Sequence, residues 1–224
     1  MKPPVLLSWS SGKDCAWALH ILQQQAQFDV VALLTTFNEA TDRVAMHGVS
    51  VELVEAQARS AGLPLWSIPL PWPCTNEIYE RCMHAVVERA LQEGIRTFAY
   101  GDLHLREIRA YREKQLAGTP IEPIFPIWDS TGGTARLAQT MIKDGLRAVV
   151  ASVDPNQLDN SFVGREFDRD FLTDLPSTCD PCGERGEFHT FCYAGPMFNE
   201  PVPLNVGEPV LRDGYWFADL ALRT

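Results

Sequence analysis

The sequence lacks the features of membrane, secreted and nucleic-acid-binding proteins. No apolar stretch approaches the length that spans a bilayer, and the apolar run after Pro4 is too short for a signal peptide. The six cysteines are irregularly spaced, which argues against a disulfide scaffold. Basic residues are scarce: 19 Lys and Arg stand against 29 Asp and Glu, a formal net charge of −10. We therefore expect a cytoplasmic protein without a membrane partner, and a nucleic-acid substrate is disfavoured.

Internal repeats and low-complexity segments are also absent, which excludes a solenoid or a disordered linker protein. The 224 residues are 46% hydrophobic, enough for one large domain or two small ones with real cores. Composition thus predicts a globular protein of enzyme size.

Strand and helix patterns alternate through the first half. An apolar run at 5–7, a near-continuous one at 29–36, and runs at 65–70 and 97–100 predict four strands. Helical periodicity separates them, with Gly62 expected to end one helix and Thr75 to cap the next. This order predicts an α/β fold with a doubly wound parallel sheet, whose ligands bind beyond the carboxyl ends of the strands.

The second half has a different pattern. We predict a helix over 105–116, an extended proline-rich segment at 120–128, helices over 134–143 and 164–175, and strands at 147–153, 188–193 and 215–222. We therefore predict a nucleotide-binding domain over residues 1–105 and a smaller α+β substrate-binding domain over residues 106–224.

The loop from Ser8 to Cys15 joins the first strand to the first helix. Unpaired backbone N–H groups and the positive end of the helix dipole favour an anion at such a helix N-terminus. Ser10, Ser11 and Lys13 add hydroxyl groups and a cation, so a phosphate is the expected ligand. The loop matches neither G-x-x-x-x-G-K-[ST] nor G-x-G-x-x-G. The simpler alternative is that the serine residues of this loop only cap the helix.

A second polar cluster follows at 180–191, with the sequence DPCGERGEFHTF. Glu184, Glu187 and His189 are expected to converge on one point, because so many polar residues and two glycines are costly in a core and unnecessary on a surface. The alternative is a solvated turn and hairpin.

The loop resembles the S-G-G-x-D-S loop of the PP-loop ATP pyrophosphatases, which holds the β,γ-pyrophosphate of ATP and leaves the α-phosphorus open to attack. Two residues depart from that pattern: Ser11 replaces a glycine and Cys15 replaces a serine. The late segment, C-G-E-x-G-E-F-H-T-F, resembles the signature of the diphthine-ammonia ligase family. Further stretches match that family in order, namely Met46-His47-Gly48, Gln57-Ala58, Gly101-Asp102, Arg109 with Glu113, Pro126-Ile127-Trp128, and Leu158 with Gly164-Arg165.

The resemblance implies a Rossmann-like PP-loop domain and an ATP-dependent amidation. A substrate carboxylate would attack the α-phosphorus, pyrophosphate would leave, and ammonia would displace AMP from the acyl-adenylate. The acceptor would be a diphthine-bearing elongation factor or a small carboxylate metabolite. The implied catalytic residues are Lys13, Asp102, Glu184, Glu187 and His189, with Asp102 also a ligand of Mg²⁺. The implied ATP-binding residues are Ser8, Ser10, Ser11, Gly12, Lys13, Asp14, Cys15, Thr35, His47 and Gly101. The implied substrate-binding residues are Arg109, Glu113, Trp128, Gly183, Gly186 and Thr190.

Three alternatives remain open. A tRNA-thiolating PP-loop enzyme would use Cys15, Cys179 or Cys182 to carry sulfur. A sensor would bind ATP or AMP without turnover, because the thiol of Cys15 is a poorer hydrogen-bond donor than a hydroxyl. A zinc site would draw on Cys179, Cys182, His189 and Cys192, although a strand at 188–193 would turn the last two to opposite faces.

Overall fold

A five-stranded parallel sheet forms the first part of the protein. The computed structural model describes residues 2–44, 47–129 and 132–223. Strands and helices alternate here as predicted. The elements are β1 (Pro4–Ser8), α1 (Lys13–Gln25), β2 (Asp29–Asn38), α2 (Val51–Ala61), β3 (Leu65–Leu70), α3 (Asn76–Gln92), β4 (Thr97–Ala99), α4 (Arg106–Leu116) and β5 (Glu122–Ile124).

The strand order is β3-β2-β1-β4-β5, and every pair is parallel. The chain moves outward from β1 in one direction to β2 and β3, and then crosses back to β4 and β5 on the other side. The carboxyl end of β1 is therefore the topological switch point, where open α/β sheets bind ligands. This confirms the predicted doubly wound α/β fold.

The central strand β1 is buried on both faces. Val5 and Leu7 belong to one hydrophobic cluster, whereas Leu6 belongs to another, because side chains alternate across a strand. Caps fix the flanking helices: Ser50 accepts the Leu53 N–H at the start of α2, and Gly62 ends that helix with φ of 68°. These local signals agree with the predicted boundaries.

The second part is a separate, smaller antiparallel sheet with strand order β7-β6-β9-β8. One hydrophobic cluster runs from β1 and α1 into this sheet, so the two parts share a core. The elements are α5 (Gly133–Lys143), β6 (Arg147–Val153), a 3₁₀ turn (Asn160–Phe162), α6 (Arg169–Asp174), β7 (Phe188–Ala194), β8 (Leu204–Arg212) and β9 (Tyr215–Leu222).

One prediction about this half was wrong, and one strand was missed. The helix expected over 164–175 covers only Arg169–Asp174, because residues 164–167 run along β6. Gly164 N–H donates to Val150 O, and Phe167 N–H donates to Ala148 O. The strand β8 was not predicted at all, since it is an exposed edge strand containing Gly207 and Pro209 and has no buried alternation.

The proline-rich segment contributes the fifth strand of the parallel sheet, with Glu122–Ile124 pairing with β4. The predicted division between residues 105 and 106 stays a prediction. Met46, one of the residues that carried the family resemblance, lies outside the described residues. Over residues 2–44, 47–129 and 132–223, no helix is long and apolar enough to cross a membrane.

Candidate active site

The Ser8–Cys15 loop leaves the carboxyl end of β1 and opens α1, as its pattern predicted. Gly12 is the N-cap residue and has extended backbone angles, φ −80° and ψ 171°, but it has no side chain to cap the helix. The N-terminus of α1 is therefore not closed by its own cap residue, and its first-turn N–H groups and helix dipole favour an anion there.

Polar atoms without hydrogen-bond partners lie in this loop and next to it. Ser11 Oγ, Asp14 Oδ1 and Thr35 Oγ1 are all buried, and none has a hydrogen-bond partner. Buried polar atoms without partners are costly, so a site that retains several of them fits a polar ligand. Ser11 also has φ of 73°, a left-handed conformation that favours glycine, and the S-G-G-x-D-S pattern that the loop resembles has a glycine at this position.

Strand β7 and helix α2 hold the Ser8–Cys15 loop in place through hydrogen bonds. Cys192 N–H donates to Ser11 O over 2.9 Å, and Lys13 N–H donates to Thr190 Oγ1 over 3.1 Å. Gln57, which is fully buried, donates through Nε2 to both Ser11 O and Cys192 O and accepts from Trp9 Nε1. The second half of the chain thus fixes the backbone of the loop.

Lys13 is buried rather than extended into solvent. Only 2% of its surface is exposed, and its Nζ donates to Asp14 Oδ2 at 2.9 Å and to Cys182 O at 2.5 Å. Burial alone would lower the pKa of Lys13, but its interactions with Asp14, Cys182 and Glu184 together outweigh burial, and the pKa is raised. Lys13 therefore keeps its positive charge and joins the loop to the late segment.

A cavity of about 540 Å³ opens above the loop, a volume typical of small-molecule sites. Its floor is the Ser8–Cys15 loop, and β2, β4, α3, α4 and the late segment form its walls. Of the predicted residues it is lined by Ser8, Ser10, Lys13, Asp14, Cys15, Thr35, His47, Gly101, Asp102, Gly183, Glu184, Gly186, His189 and Thr190. The structure thus brings the early loop and the late segment, far apart in sequence, into one site.

Glu184 is an acidic group whose pKa the site raises strongly. Burial raises its pKa to about 8, and the nearby carboxylates of Asp14, Asp180 and Asp102 reinforce the effect, which Lys13 partly opposes. The carboxyl group lies 3.8 Å from His104 Nδ1. A carboxyl group that titrates near neutral pH is suited to general acid and base catalysis.

His47 and His189 form a pair of neutral imidazoles in the cavity wall, with ring centres 4.8 Å apart. Burial lowers the pKa of His47 to about 4 and that of His189 to about 3. His47 Nδ1 lies 3.0 Å from Thr190 O, which only accepts, so Nδ1 carries the proton. Buried His189 Nε2 has no partner. Both rings are suited to hydrogen bonding with a ligand and are poor bases.

Glu187 is placed differently from the prediction that grouped it with Glu184 in the site. It is 1% exposed and does not line the cavity. Its Oε1 accepts the Asp180 N–H at 2.6 Å, and its Oε2 accepts the Arg185 N–H at 2.9 Å. The Glu187 carboxylate therefore holds the turn that presents Glu184.

Comparison with known protein families accounts for almost the whole chain. A model of the diphthamide synthase N-terminal domain matches residues 1–112, and a model of the diphthamide synthase C-terminal domain matches residues 133–220. The chain belongs to the diphthamide synthase family. Membership implies an enzyme of the PP-loop, ligase-like type. No curated protein matches the sequence.

In this diphthamide synthase family member, Gly101 sits directly against the loop. A Cβ atom at residue 101 would lie 2.8 Å from Cys15 N and 2.9 Å from Cys15 Cα, closer than real contacts allow. Asp102 follows in the cavity, where its Oδ2 pairs with Arg112 Nε at 3.4 Å. Burial raises the pKa of Asp102, and Arg112 opposes this rise.

Three predicted substrate-binding residues of this diphthamide synthase family member lie outside the cavity. Arg109 pairs with Glu113 over 2.8 Å on the outer face of α4 and stacks over the rings of Phe125 and Trp128. None of Arg109, Glu113 and Trp128 lines the cavity. Their assignment to substrate binding stays a prediction.

Sequence reasoning missed several residues of the cavity, including Tyr79, Tyr100, Arg112 and Gln115. Arg112 follows Arg109 by three residues on α4, but only Arg112 lines the cavity. Helical spacing could have indicated that Ile108, Arg112 and Gln115 share one face, yet the sequence carries no signal for which face meets the site.

The cysteines do not form the zinc site considered above. Cys179 Sγ lies against Gln157 O, Cys182 Sγ against Thr134 O, and Cys192 Sγ against Ala194 O. Among the described residues, no group of three or more His, Cys, Asp or Glu is arranged to hold a metal ion. Burial raises the pKa of Cys15 to about 11 and also raises those of Cys179, Cys182 and Cys192, which does not favour thiolate chemistry.

Proposed function

We propose that this protein is an ATP-dependent carboxylate-amine ligase. A carboxylate oxygen of the acceptor attacks the α-phosphorus of ATP, pyrophosphate leaves, and ammonia then attacks the acyl carbon and releases AMP. The observation that carries this proposal is that an anion-binding loop, Ser8–Cys15, and a carboxyl group with a pKa near neutrality, Glu184, face one cavity. The acceptor is a diphthine-bearing elongation factor or, failing that, a small carboxylate metabolite.

The loop supplies the electrostatics of the first step. The first-turn N–H groups of α1 beyond that of Lys13, which donates to Thr190, and the hydroxyl of Ser10 would contact the phosphates, where the leaving pyrophosphate gains charge. Ser11 is fully buried and does not line the cavity, so its hydroxyl is not assigned to the phosphates. Lys13 adds a positive charge at the loop, and its ammonium group is held by hydrogen bonds to Asp14 and the Cys182 carbonyl. Because these donors are already in place, little reorganisation accompanies the reaction.

The residues present also fit a magnesium ion. Mg²⁺ is usually held by one or two carboxylates together with substrate phosphates. Asp14 Oδ1 is buried without a partner, and Asp102 lies in the same cavity, so these two carboxylates would hold it. When bound, Mg²⁺ would neutralise charge on the phosphates.

Glu184 is assigned to the second step. Ammonia loses a proton as it forms the amide bond, and a carboxylate with a pKa of about 8 is a much better acceptor for that proton than an ordinary one. His47 and His189 would bind a hydrogen-bond donor of the substrate or ammonia, since their low pKa values keep them neutral. Glu187 is assigned a positioning role through its backbone hydrogen bonds.

A product analysis tests the proposal. Purified protein is incubated with ATP, Mg²⁺, ammonium and candidate acceptors, and AMP is separated from ADP. The proposal predicts AMP and pyrophosphate in amounts equal to the amide formed, with both acceptor and ammonium required. ADP as the sole product contradicts adenylation, and saturable ATP binding without any turnover identifies the sensor instead.

A further inference from the structure

The cavity has a second arm that the proposed chemistry has not used. This arm, which we term the α3–α4 arm, runs between the helices α3 and α4. It is lined by Tyr79, Met83, Leu105, Ile108, Arg112 and Gln115. Its walls are largely apolar, and Arg112 is the only cationic residue among these six.

The topology separates this arm from the β2 side of the cavity. In the sheet β2 lies on one side of β1 and β4 on the other, so the Ser8–Cys15 loop sits between two flanking spaces. The β2 side is lined by Leu34, Thr35, Thr36 and Val44, apolar and hydroxyl groups that suit a neutral nucleoside. The α3–α4 arm provides a fixed cation instead, which suits an anionic ligand.

Arg112 is held in a defined position. Its guanidinium stacks over the Tyr100 ring at 4.9 Å, and its Nε donates to Asp102 Oδ2 at 3.4 Å, a long and therefore weak hydrogen bond. The side chain is 25% exposed. The Asp102 contact at Nε and a hydrogen bond with the Tyr79 side chain use only part of a group that carries five N–H donors. A planar fork fixed against an aromatic ring in apolar surroundings is well suited to a carboxylate.

We infer that the α3–α4 arm is the acceptor subsite and that Arg112 binds a carboxylate of the acceptor. This inference rests on the proposed function for its placement of ATP on the loop, and it names the residue that selects the second substrate. The apolar walls formed by Met83 and Ile108 would cover the aliphatic part of such a carboxylate. The preferred acceptor is thus a carboxylate on an apolar stem.

Binding of small probes tests the inference without knowledge of the natural acceptor. Butyrate and its neutral analogue butyramide are titrated into the protein, with and without a non-hydrolysable ATP analogue, and followed by saturation-transfer NMR. We expect butyrate to bind and butyramide to bind at least about tenfold more weakly, because a charge-assisted pair is lost. Arg112→Gln should lower butyrate affinity at least about tenfold while affinity for the ATP analogue stays within about threefold of wild type.

Arg106 provides a control on the same helix. It is exposed and lies outside the cavity. Arg106→Gln should leave both affinities unchanged. Arg112→Lys keeps the charge beside Asp102 without the planar fork, so it should give an intermediate butyrate affinity, and it is used if Arg112→Gln does not fold.

Three results would overturn the inference: no saturable butyrate binding to wild type, butyrate binding that is indifferent to Arg112, or loss of ATP-analogue affinity in the Arg112 variants equal to the loss for butyrate. The last result would assign the arm to the nucleotide. Failure of wild type to bind the ATP analogue would instead refute the proposed function, and the titrations without nucleotide would still report on Arg112.

Discussion

Glu184 gives the most quantitative prediction, because the site destabilises its charged form. Its pKa is raised from 4.5 to about 8. Between these values the folded protein holds a proton that the unfolded chain has lost. The free energy of unfolding therefore falls by about 1.4 kcal/mol per pH unit, up to about 5 kcal/mol above pH 8. Because Glu184 is 15% exposed, we expect a smaller penalty, about 2 kcal/mol.

The substitution Glu184→Gln keeps the shape of the side chain and cannot ionise. We expect the variant to exceed wild type in stability by about 2 kcal/mol at pH 8.5, and by less than about 1 kcal/mol at pH 5. Urea unfolding of both proteins at the two pH values measures this difference and cancels the titration of other groups. The same variant should bind ATP normally and lose amide formation, since the proton acceptor is gone.

Glu187→Gln is the control, three residues away. An amide can accept from only one of the two backbone N–H groups that Glu187 now satisfies, so this variant should lose about 1–3 kcal/mol at both pH values. The reasoning is refuted if Glu184→Gln is no more stable than wild type at pH 8.5, or if its advantage is the same at pH 5.

Three further substitutions test the loop. Lys13→Ala should abolish turnover and weaken ATP binding by calorimetry, and it should cost about 3 kcal/mol of stability because Asp14 loses its partner; unchanged ATP affinity would remove Lys13 from the phosphate site. Cys15→Ser should raise turnover, measured as AMP release, by restoring a hydroxyl donor, whereas an unchanged output would favour the sensor. Gly101→Ala should lower ATP affinity at least about tenfold, since its Cβ would press on Cys15 N, and equal affinity would show that the loop adapts.

The sequence predicted the parallel sheet well because its signals are local. The buried run of β1, the Thr75 cap and the Gly62 terminus each act within a few residues. The edge strand β8 has no such signal, since its side chains are mostly exposed and a bulge lies between Val206 and Pro209. The long helix expected after Gly164 failed because tertiary hydrogen bonds to β6 override helical periodicity there.

The sequence predicted many of the residues that form the site but not how they are arranged in space. The late segment meets the loop as expected, through Thr190 and Cys182. The directions of Glu184 and Glu187 could not follow from their spacing, because they lie in turns where Gly183 and Gly186 have positive φ, not on a helix. The role of Arg112 was equally hidden, since it depends on which face of α4 turns toward β4.

The fate of the carboxylate oxygen tests the central claim of acyl-adenylate chemistry most directly. An acceptor carboxylate labelled with ¹⁸O is converted with ATP and ammonium, and the nucleotide and inorganic products are analysed by mass spectrometry. Attack of the carboxylate on the α-phosphorus followed by ammonia at the acyl carbon leaves one ¹⁸O atom in AMP. Label in inorganic phosphate with formation of ADP, or AMP without label, would contradict the account.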